Sequence, residues 1–470
     1  MSKPHCIPPS PDVMAMLYME YQRSGKAKKL SFKKYLQSIG FTDPAAEVDG
    51  MDDALRFRRG TAGAERIDIP AQPVTGKLQV KVLLVDFPDR PGALPPHHYE
   101  DMLFSEAQYP TGSMRDFYRE ISLGKVEVEG SVHGWLRMPN PYSYYTNNKS
   151  GFGTYPKNAQ KMAEDAVSVA MQQGIKFDKN LDKLNQGIVT ALFIVHSGRG
   201  AEELHPTIRG GEIWSHKWNL MAPVDVGNGL AASIYLTVPN DCKVGVCAHE
   251  LGHLAFQWQD FYDPNYNEDG KEWDGSGVWD LMAGGSWNGG GSRPAHPAGL
   301  HKIQHDWVPV TTVTKSQSLT LKPYTADSGR VYKIVSPNYG EKQYLLLENR
   351  KRSGFDFNLP GEGLLVWRVD EKGEMEAPDK PGLLLIQADG KHNLEIPKDW
   401  NQGDAGDPFP GSEMKTKLTD SGSISTTFPD AKRSGVMLEN IVLDQVSGAI
   451  TLDVKFSSGS AVIKKKSPVA

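Results

Sequence analysis

The chain is poor in cysteine, in surplus charge and in long apolar runs, and each shortage excludes a class of protein. Three cysteines in 470 residues cannot form the disulfide framework of small secreted domains. A formal net charge of −5 provides no basic surface for nucleic acid, so we expect no nucleic-acid partner. No apolar run reaches the roughly 18 residues of a transmembrane helix, so we expect no membrane span. Residues 1–12 lack the charged-then-apolar pattern of a signal peptide, which leaves export unsupported by the sequence itself.

The remaining composition is that of a globular protein with more than one domain. Apolar residues make up 39% and charged residues 23% of the chain, both ordinary values for globular proteins. A length of 470 residues predicts two or three domains. The 47 glycines and 32 prolines indicate many turns and therefore a large β component.

One short stretch carries a catalytic pattern. Residues 247–256 read CAHELGHLAF and contain H-E-x-x-H, formed by His249, Glu250 and His253. Residues four apart lie one above the other on a helix, so the two histidines can bind one metal ion from the same face. Zinc commonly takes three protein ligands and leaves a fourth position for water, whose pKa it lowers to about 7. Glu250 lies on the adjoining side, where it can act as a general base toward that water.

The residues around this motif predict a buried helix. Val244, Val246, Leu251 and residues 254–256 are apolar. Histidine and glutamate side chains inside a buried helix need partners, and a metal ion provides them. The alternative, an exposed helix that carries these residues by chance, does not explain the apolar flanks.

The three cysteines have separate interpretations. Cys242 and Cys247 flank the start of the predicted metal-binding helix, and we expect two buried thiols there; a bend in the chain would instead let them pair. Cys6, in the sequence HCIPP, has the chemistry of a thiolate that blocks a zinc site. An ordinary exposed terminal cysteine is the simpler expectation for this position.

The pattern along the chain predicts four regions. Residues 1–70 form a helical, polar leader that ends in a linker, with helices at 13–21 and 31–39 and the linker at 49–63. Residues 71–309 form a domain in which strands and helices alternate up to the metal helix. Residues 310–456 contain short β runs with turn signals between them, which is typical of an antiparallel β sandwich. Residues 457–470 are expected to be a disordered tail.

The individual elements are predicted from apolar periodicity. In the first domain the strands are 77–87, 125–132, 188–196 and 231–238, and the helices are 113–123, with Ser113 as N-cap, and 158–173. In the β region the strands are 318–321, 330–335, 344–348, 363–369, 382–388 and 449–456. The metal helix is expected to pack under a sheet whose edge strand can hold an extended peptide by main-chain hydrogen bonds.

Several blocks give the chain a family resemblance. They are VLLVDFPD at 82–89, SMRDFYREISLGK at 113–125, IWSHKW at 213–218, DFYD at 260–263, VWDLMAGGSW at 278–287, QYLLLENR at 343–350, LPGEGLLVWRVD at 359–370 and GDPFPG at 406–411. Together with HELGH at 249–253 and in this order, they resemble the immune inhibitor A-type metallopeptidases, bacterial zinc endopeptidases of the zincin group. The resemblance covers most of residues 77–456.

The resemblance carries implications that composition does not. It implies an α+β zincin-like catalytic domain followed by an all-β, sandwich-like C-terminal domain. It implies proteolysis and an N-terminal segment that is often inhibitory. It also implies secretion, but since this chain shows no signal peptide, a cytoplasmic location stays open.

The family motif resembles H-E-x-x-H-x-x-G-x-x-D, and this chain departs from it at two positions. Phe256 stands at the glycine position and Gln259 at the position of the aspartate that is the third ligand. Asp260 follows one residue later within DFYD, so we predict Asp260 as the third zinc ligand. The alternatives are Asp263, Glu268 and Glu272. Phenylalanine disfavours the positive φ that glycine permits, so the turn after the helix must be built differently.

Five further residues are candidates for the site. Met282, in DLMAG, resembles the methionine turn beneath the metal in related zinc peptidases, where it packs under the ligands without binding the ion; a core methionine is the alternative. His216, Tyr262 and Tyr266 are candidates for oxyanion or substrate contacts, as is His205. His216 lies within IWSHKW and fits a structural role equally well.

Two acidic segments are candidate calcium sites. N-x-N-x-D-G at 265–270 resembles the start of a calcium-binding loop, but Ser276 stands where the closing glutamate belongs. The turn at 404–407 is a weaker candidate, for which a solvated turn is the simpler interpretation. Calcium is therefore an optional cofactor beside zinc.

Taken together, the residues predict a zinc-dependent metalloendopeptidase acting on protein or peptide substrates. His249, His253 and Asp260 hold zinc in this interpretation, and Glu250 is the general base. One alternative is a zinc hydrolase of small amides. Another is a non-catalytic binding protein with a degenerate zinc site, which the departures from the family motif motivate. Nothing in the sequence indicates an oligomeric state.

Overall fold

The computed structural model describes residues 5–41, 72–262, 273–325, 328–373, 381–395, 401–429 and 433–457. The predicted linker at 49–63, the candidate calcium loop at 265–270 and all but the first residue of the predicted tail lie outside the described residues. Among the helices of the described segments, none combines the length and the apolar character needed to cross a bilayer.

The helices and strands are numbered in chain order. The α-helices are α1 (Pro11–Arg23), α2 (Phe32–Ser38), α3 (Pro96–Phe104), α4 (Met114–Ile121), α5 (Tyr142–Thr146), α6 (Ala159–Gln172), α7 (Val244–Phe256) and α8 (Gly299–Gln304). The strands are β1 (His5–Cys6), β2 (Gly76–Asp86), β3 (Val126–Arg137), β4 (Leu192–His196), β5 (His216–Gly227), β6 (Leu230–Pro239), β7 (Val310–Val313), β8 (Gln317–Leu321), β9 (Val331–Ile334), β10 (Gln343–Arg350), β11 (Gly363–Asp370), β12 (Leu383–Leu385), β13 (Val436–Leu443) and β14 (Ile450–Phe456). The predicted elements are confirmed with shifts at their ends, whereas α3, α5, α8, β1, β5, β7 and β13 were not predicted.

A six-stranded sheet forms the centre of the first domain, in the order β1-β5-β6-β4-β2-β3. The pairs β2–β3, β2–β4 and β4–β6 are parallel, while β5 is antiparallel to β6 and β1 is antiparallel to β5. Every residue of β4 is buried, which is typical of a parallel strand covered on both faces.

Helix α4 packs against α7, the helix that carries the metal motif. Its predicted N-cap is confirmed: the Ser113 hydroxyl accepts a hydrogen bond from the Asp116 amide, and the Asp116 carboxylate accepts one from the Ser113 amide. The buried Tyr118 hydroxyl of α4 donates to the Ala248 carbonyl of α7 over 2.6 Å. All thirteen residues of α7 are buried, as the apolar flanks of the motif predicted.

Two sheets make up the C-terminal region. One has five strands in the order β12-β11-β10-β9-β7, and the other has three in the order β13-β14-β8. The expectation of a wholly antiparallel region was wrong at one pair, because β7 and β9 are parallel. The chain between them passes through β8 in the other sheet, and this crossover returns it in the same direction.

The five-stranded sheet packs against a different core on each face. Leu345 and Leu347 of β10 join the cluster shared with the three-stranded sheet. Tyr344 and Leu346, one residue out of phase, join the cluster of the first domain. Side chains alternate across a strand, so the same strand contributes to both cores. The C-terminal region is therefore packed directly onto the domain that carries the metal motif.

Candidate metal centre

Three side chains meet at the end of α7. His249 and His253 lie one turn apart, and their Nε2 atoms are 3.1 Å from each other. The Asp260 Oδ1 atom lies 3.1 Å from His249 Nε2 and 3.3 Å from His253 Nε2. All three residues are buried. The structure therefore brings the predicted third ligand next to both histidines.

The hydrogen bonds of the two histidines orient their rings toward one point. His249 Nδ1 lies 2.9 Å from the Leu281 carbonyl oxygen, and His253 Nδ1 lies 2.7 Å from the Trp258 carbonyl oxygen. A carbonyl only accepts, so in the neutral rings each Nδ1 carries the proton and each Nε2 presents a lone pair. Two lone pairs and a carboxylate oxygen thus converge, and such a set of acceptors suits a cation between them.

The donor set fits zinc. Tetrahedral zinc with bonds of about 2.0–2.1 Å separates its ligand atoms by about 3.3 Å, close to the three observed distances of 3.1, 3.1 and 3.3 Å. Two imidazoles and one carboxylate are a ligand combination of catalytic zinc sites. In each histidine, the Nδ1–H group donates to a backbone carbonyl, and a backbone carbonyl is a usual outer partner of a metal-bound histidine.

The turn after α7 explains how Asp260 reaches the two histidines although it lies one residue later than the aspartate of the family motif. Helix α7 continues through Phe256, and the left-handed residue that ends it is Gln257, with φ of 59°. The Trp258 amide donates to the Gly252 carbonyl over 3.2 Å, which closes the helix end. Both the turn and the aspartate are displaced by one residue from the family pattern. With Phe256 and Gln259 at the two departing positions, the chain still brings an aspartate next to both histidines.

Glu250 is placed beside the ligands on the same helix. It follows His249 directly, and both of its carboxylate oxygens are buried. Cys247 lies one turn earlier; Cys242 and Cys247 are buried free thiols, as expected. Contact with Cys242, together with burial, raises the pKa of Cys247 well above its ordinary value, so this thiol stays protonated.

The segment from Asp280 to Met282 lies under the helix. The Leu281 carbonyl accepts from His249, and the Met282 carbonyl accepts from the Phe261 amide over 2.9 Å. A Cβ added to Gly252 would lie 2.9 Å from the Met282 sulfur, so Met282 packs against the backbone between the two histidines. Met282 therefore packs under the part of α7 that carries both histidines.

Sequence reasoning did not identify His305, which holds the end of α7. Its Nε2 lies 3.1 Å from the Phe256 carbonyl, and its Nδ1 accepts from the Val74 amide over 3.1 Å. Burial lowers the pKa of His305 to about 3, so the ring is neutral. This contact joins residues 49 positions apart in the sequence, so no local pattern of residues predicts it.

The structure separates the other predicted contacts. His216 is buried on β5, where its Nδ1 lies 2.7 Å from the Trp214 carbonyl and its Nε2 lies 3.1 Å from the Tyr235 hydroxyl. These bonds within the sheet favour the structural role, and burial lowers the pKa of His216 to about 4. His205 is paired with Thr207 and with Glu20 of α1. Tyr266 lies outside the described residues.

The N-terminal segment lies against the edge of the sheet near this centre. Cys6 pairs with His216 and His5 with Lys217 in the β1–β5 ladder. Three side chains donate to consecutive carbonyls of the segment: Tyr262 to Cys6, Trp214 to Ile7 over 2.9 Å, and Trp287 to Pro8 over 2.8 Å. The expectation of an exposed terminal cysteine was wrong, because Cys6 is 5% exposed and extended against β5.

A second group of acidic residues lies in the C-terminal region. Asp389, Asp404 and Asp407 bring their carboxylate oxygens within 4.8 Å of one another. The Lys391 ammonium lies 2.7 Å from Asp389 Oδ2 and supplies a positive charge to the group. The predicted turn at 404–407 is thus part of a cluster that already contains a cation, and we assign it no metal.

Comparison with known proteins gives the geometry a family context. Residues 76–312 match the family model described as immune inhibitor A peptidase M6, catalytic domain. The pre-pro-metalloprotease PrtV of Vibrio cholerae serotype O1 (strain M66-2) is 30% identical over 263 residues, which cover 46% of this chain and 28% of that protein. Immune inhibitor A of Bacillus thuringiensis subsp. alesti is 30% identical over 257 residues, covering 45% of this chain and 37% of that protein. The match spans about a third of the length of these relatives.

Proposed function

The chain belongs to the immune inhibitor A peptidase family M6, and from that premise we propose that it is a zinc-dependent metalloendopeptidase that hydrolyses peptide bonds in proteins. The observation that carries the proposal is the convergence of His249 Nε2, His253 Nε2 and Asp260 Oδ1 within 3.3 Å of one another. The buried carboxylate of Glu250 on the same helix supports it. One relative is named as a metalloprotease, which agrees with a metal-dependent reaction.

Each residue has one role in the proposed reaction. His249, His253 and Asp260 would hold a zinc ion, which when bound would supply Lewis acidity to the scissile carbonyl and lower the pKa of water to about 7. Glu250 accepts one proton from the water that attacks the scissile carbonyl. It then passes this proton to the nitrogen of the leaving amine as the C–N bond breaks. Its burial keeps the carboxylate away from bulk solvent during the transfer.

Zinc content and casein cleavage, measured on one preparation, test the proposal. We expect about one zinc per chain and a hydrolysis that a chelator abolishes and added zinc restores. Calcium or magnesium alone should not restore it, because these cations prefer oxygen ligands to imidazole. Full zinc occupancy without cleavage, even after residues 1–71 have been removed, would favour the binding-protein alternative.

We propose that the substrate binds as an extended strand along β5. Among the described residues, β1 pairs with His216 and Lys217 at one end of β5, and β5 continues to Gly227. Main-chain pairing with a sheet edge suits an extended peptide of many sequences. A small amide would make no use of such an edge, so this arrangement favours the endopeptidase over the alternative of a small-amide hydrolase.

We further propose that the N-terminal segment holds the peptidase inactive. It pairs with the strand that we assign to the substrate, and Tyr262, two residues after Asp260, donates to its Cys6 carbonyl. The segment and a substrate therefore compete for one edge. Main-chain pairing explains the inhibition without a bond from the Cys6 thiolate, which the sequence also allowed.

Removing residues 1–71 should raise casein hydrolysis per bound zinc by about tenfold or more, because the competing strand is covalently held at high effective concentration. Initial rates of the full chain and of the shortened chain at equal zinc content measure this. In the full chain, Trp214→Phe removes one hydrogen bond to the segment and should raise the rate by a few-fold.

A peptide of residues 1–12 provides the control. It should inhibit the shortened chain in trans, and a peptide carrying Cys6→Ser should inhibit equally if pairing rather than the thiolate is responsible. Equal rates for the full and shortened chains would disprove an inhibitory segment. Loss of inhibition only in the serine peptide would establish the thiolate instead.

We also propose the domain division expected from the sequence: a leader and linker at 1–70, a zincin-like α+β catalytic domain at 71–309 and a sandwich-like all-β domain at 310–456. The strand order that leads into α7 supports the assignment of the catalytic domain. The shared core of the five-stranded and three-stranded sheets supports the assignment of the all-β domain.

A further inference from the structure

We propose that Arg350 and Asp356 of the C-terminal region are positioning residues for the metal centre. They hold both ends of the segment at residues 279–296, and the Leu281 carbonyl within that segment orients His249. The inference rests on the proposed function, since it takes His249 as a metal ligand. Both positioning residues lie beyond residues 76–312, where the family match is found.

The guanidinium of Arg350 is fully buried and donates to four residues. Its Nε and Nη2 atoms donate to the Asp356 carboxylate over 2.6 and 2.7 Å. Its Nη1 donates to the Trp279 carbonyl over 2.9 Å, and its Nη2 also donates to the His296 carbonyl over 3.1 Å. Nη1 lies 3.5 Å from Glu348 Oε1 as well, so all five N–H groups have acceptors.

Asp356 also binds the C-terminal end of the segment at residues 279–296. Its Oδ1 accepts from the His296 amide over 2.9 Å, in addition to the bond from Arg350. Burial alone would raise the pKa of Asp356, but Arg350 and His296 lower it below its ordinary value. The pair is therefore charged and bidentate, a geometry that a planar guanidinium supports and a lysine ammonium does not.

The held segment carries the contacts that shape the metal centre. The Leu281 carbonyl accepts a hydrogen bond from the Nδ1–H group of His249, which leaves Nε2 as the metal-binding atom. Asp280 accepts from the Met282 and Ala298 amides over 3.1 and 3.0 Å and keeps this turn in place. Because the turn is held in this way, a displacement of Trp279 would also displace the Leu281 carbonyl, two residues later. Arg350 therefore affects the proposed metal site by positioning the residues that orient His249, and it does not itself contact the site.

Arg350→Lys and Asp356→Asn test the inference in the full chain. Lysine offers three donors in place of five, and asparagine removes the charge with little change of shape. We expect each variant to bind zinc about tenfold more weakly, at the lower end of the effect of outer partners on metal affinity. Competition with a chromophoric chelator measures this, and the visible spectrum of the cobalt-substituted protein should also change because the orientation of a ligand changes.

Hydrogen exchange provides a readout that needs no metal. In the metal-free protein, amides of residues 281–295 should exchange faster in both variants than in the wild type, because the ends of the segment are released. If Arg350→Lys does not fold, Asp356→Asn carries the test. His249→Ala, which should lose zinc without faster exchange at 290–295, separates a failure of the proposed metal site from a failure of this inference.

Tyr339→Phe is the matched control. The buried Tyr339 hydroxyl donates to the Thr426 carbonyl over 2.8 Å within the other core of the C-terminal region. Its removal should lower the melting temperature without changing zinc affinity. A lower melting temperature with unchanged zinc affinity and exchange in the Arg350 and Asp356 variants would overturn the inference. Equal weakening of zinc binding by Tyr339→Phe would overturn it as well.

Discussion

Replacing Glu250 with glutamine should reduce casein hydrolysis by about 10²–10⁴-fold while zinc remains bound. Glutamine matches glutamate in shape, but its amide cannot accept a proton from the attacking water. The metal ligands, which are His249, His253 and Asp260 in our proposal, are unchanged. The specific prediction is therefore a loss of kcat at full zinc occupancy, measured with a chromogenic peptide alongside metal analysis.

Cys247→Ala is the control for this prediction. Cys247 is buried on the same helix, one turn before Glu250, so its replacement disturbs α7 packing without removing the base. We expect a modest loss of stability, on the order of 1 kcal/mol, and activity within a few-fold of the wild type. If Glu250→Gln were as active as Cys247→Ala, the proton acceptor would have to be another group, and the proposed mechanism would be wrong.

Replacing Asp260 with asparagine should weaken zinc binding by more than 100-fold. Asparagine keeps the size of the side chain but removes the negative charge that faces both histidines at 3.1 and 3.3 Å. Loss of an outer partner alone weakens metal binding by about 10–100-fold, and loss of a direct ligand should exceed that range. Competition with a chelator of known affinity measures the change, and casein hydrolysis at low zinc should fall in parallel.

Two variants distinguish Asp260 from its neighbours. Gln259→Ala should retain zinc although Gln259 stands at the family's ligand position, because a neutral amide is not among the usual protein ligands of zinc. Asp263→Asn tests an alternative ligand and should also retain zinc. Zinc loss in Asp263→Asn, with full retention in Asp260→Asn, would show that the third ligand had been assigned to the wrong aspartate.

Several features of this site followed from local sequence. The spacing of His249 and His253 placed them on one helical face, since the helical repeat brings residues four apart into register. The capping pair Ser113 and Asp116 defined the start of α4 through contacts three residues apart. Long apolar runs identified β2 and β4, because strands covered on both faces contain little else.

Strand β5 shows why other features escaped sequence analysis. Its sequence HKWNLMAPVDVG has apolar residues at alternate positions from Trp218 to Val226, but Pro223 within this run argues against a central strand. It forms nevertheless, because it pairs with β6 on its inner side, and proline is tolerated at an edge. The pairing of β1 with β5 joins residues more than 200 positions apart and leaves no local pattern.

The sequence by itself determined the metal motif, the helix that carries it and the candidate base, because each depends on spacings of a few residues. Tertiary structure decided which aspartate meets the histidines, since that depends on the left-handed turn at Gln257 rather than on residue count. It also decided that Arg350 and Asp356 hold the segment beneath His249. Such contacts form between distant parts of the chain only when their cores pack together, and no local pattern of residues records them.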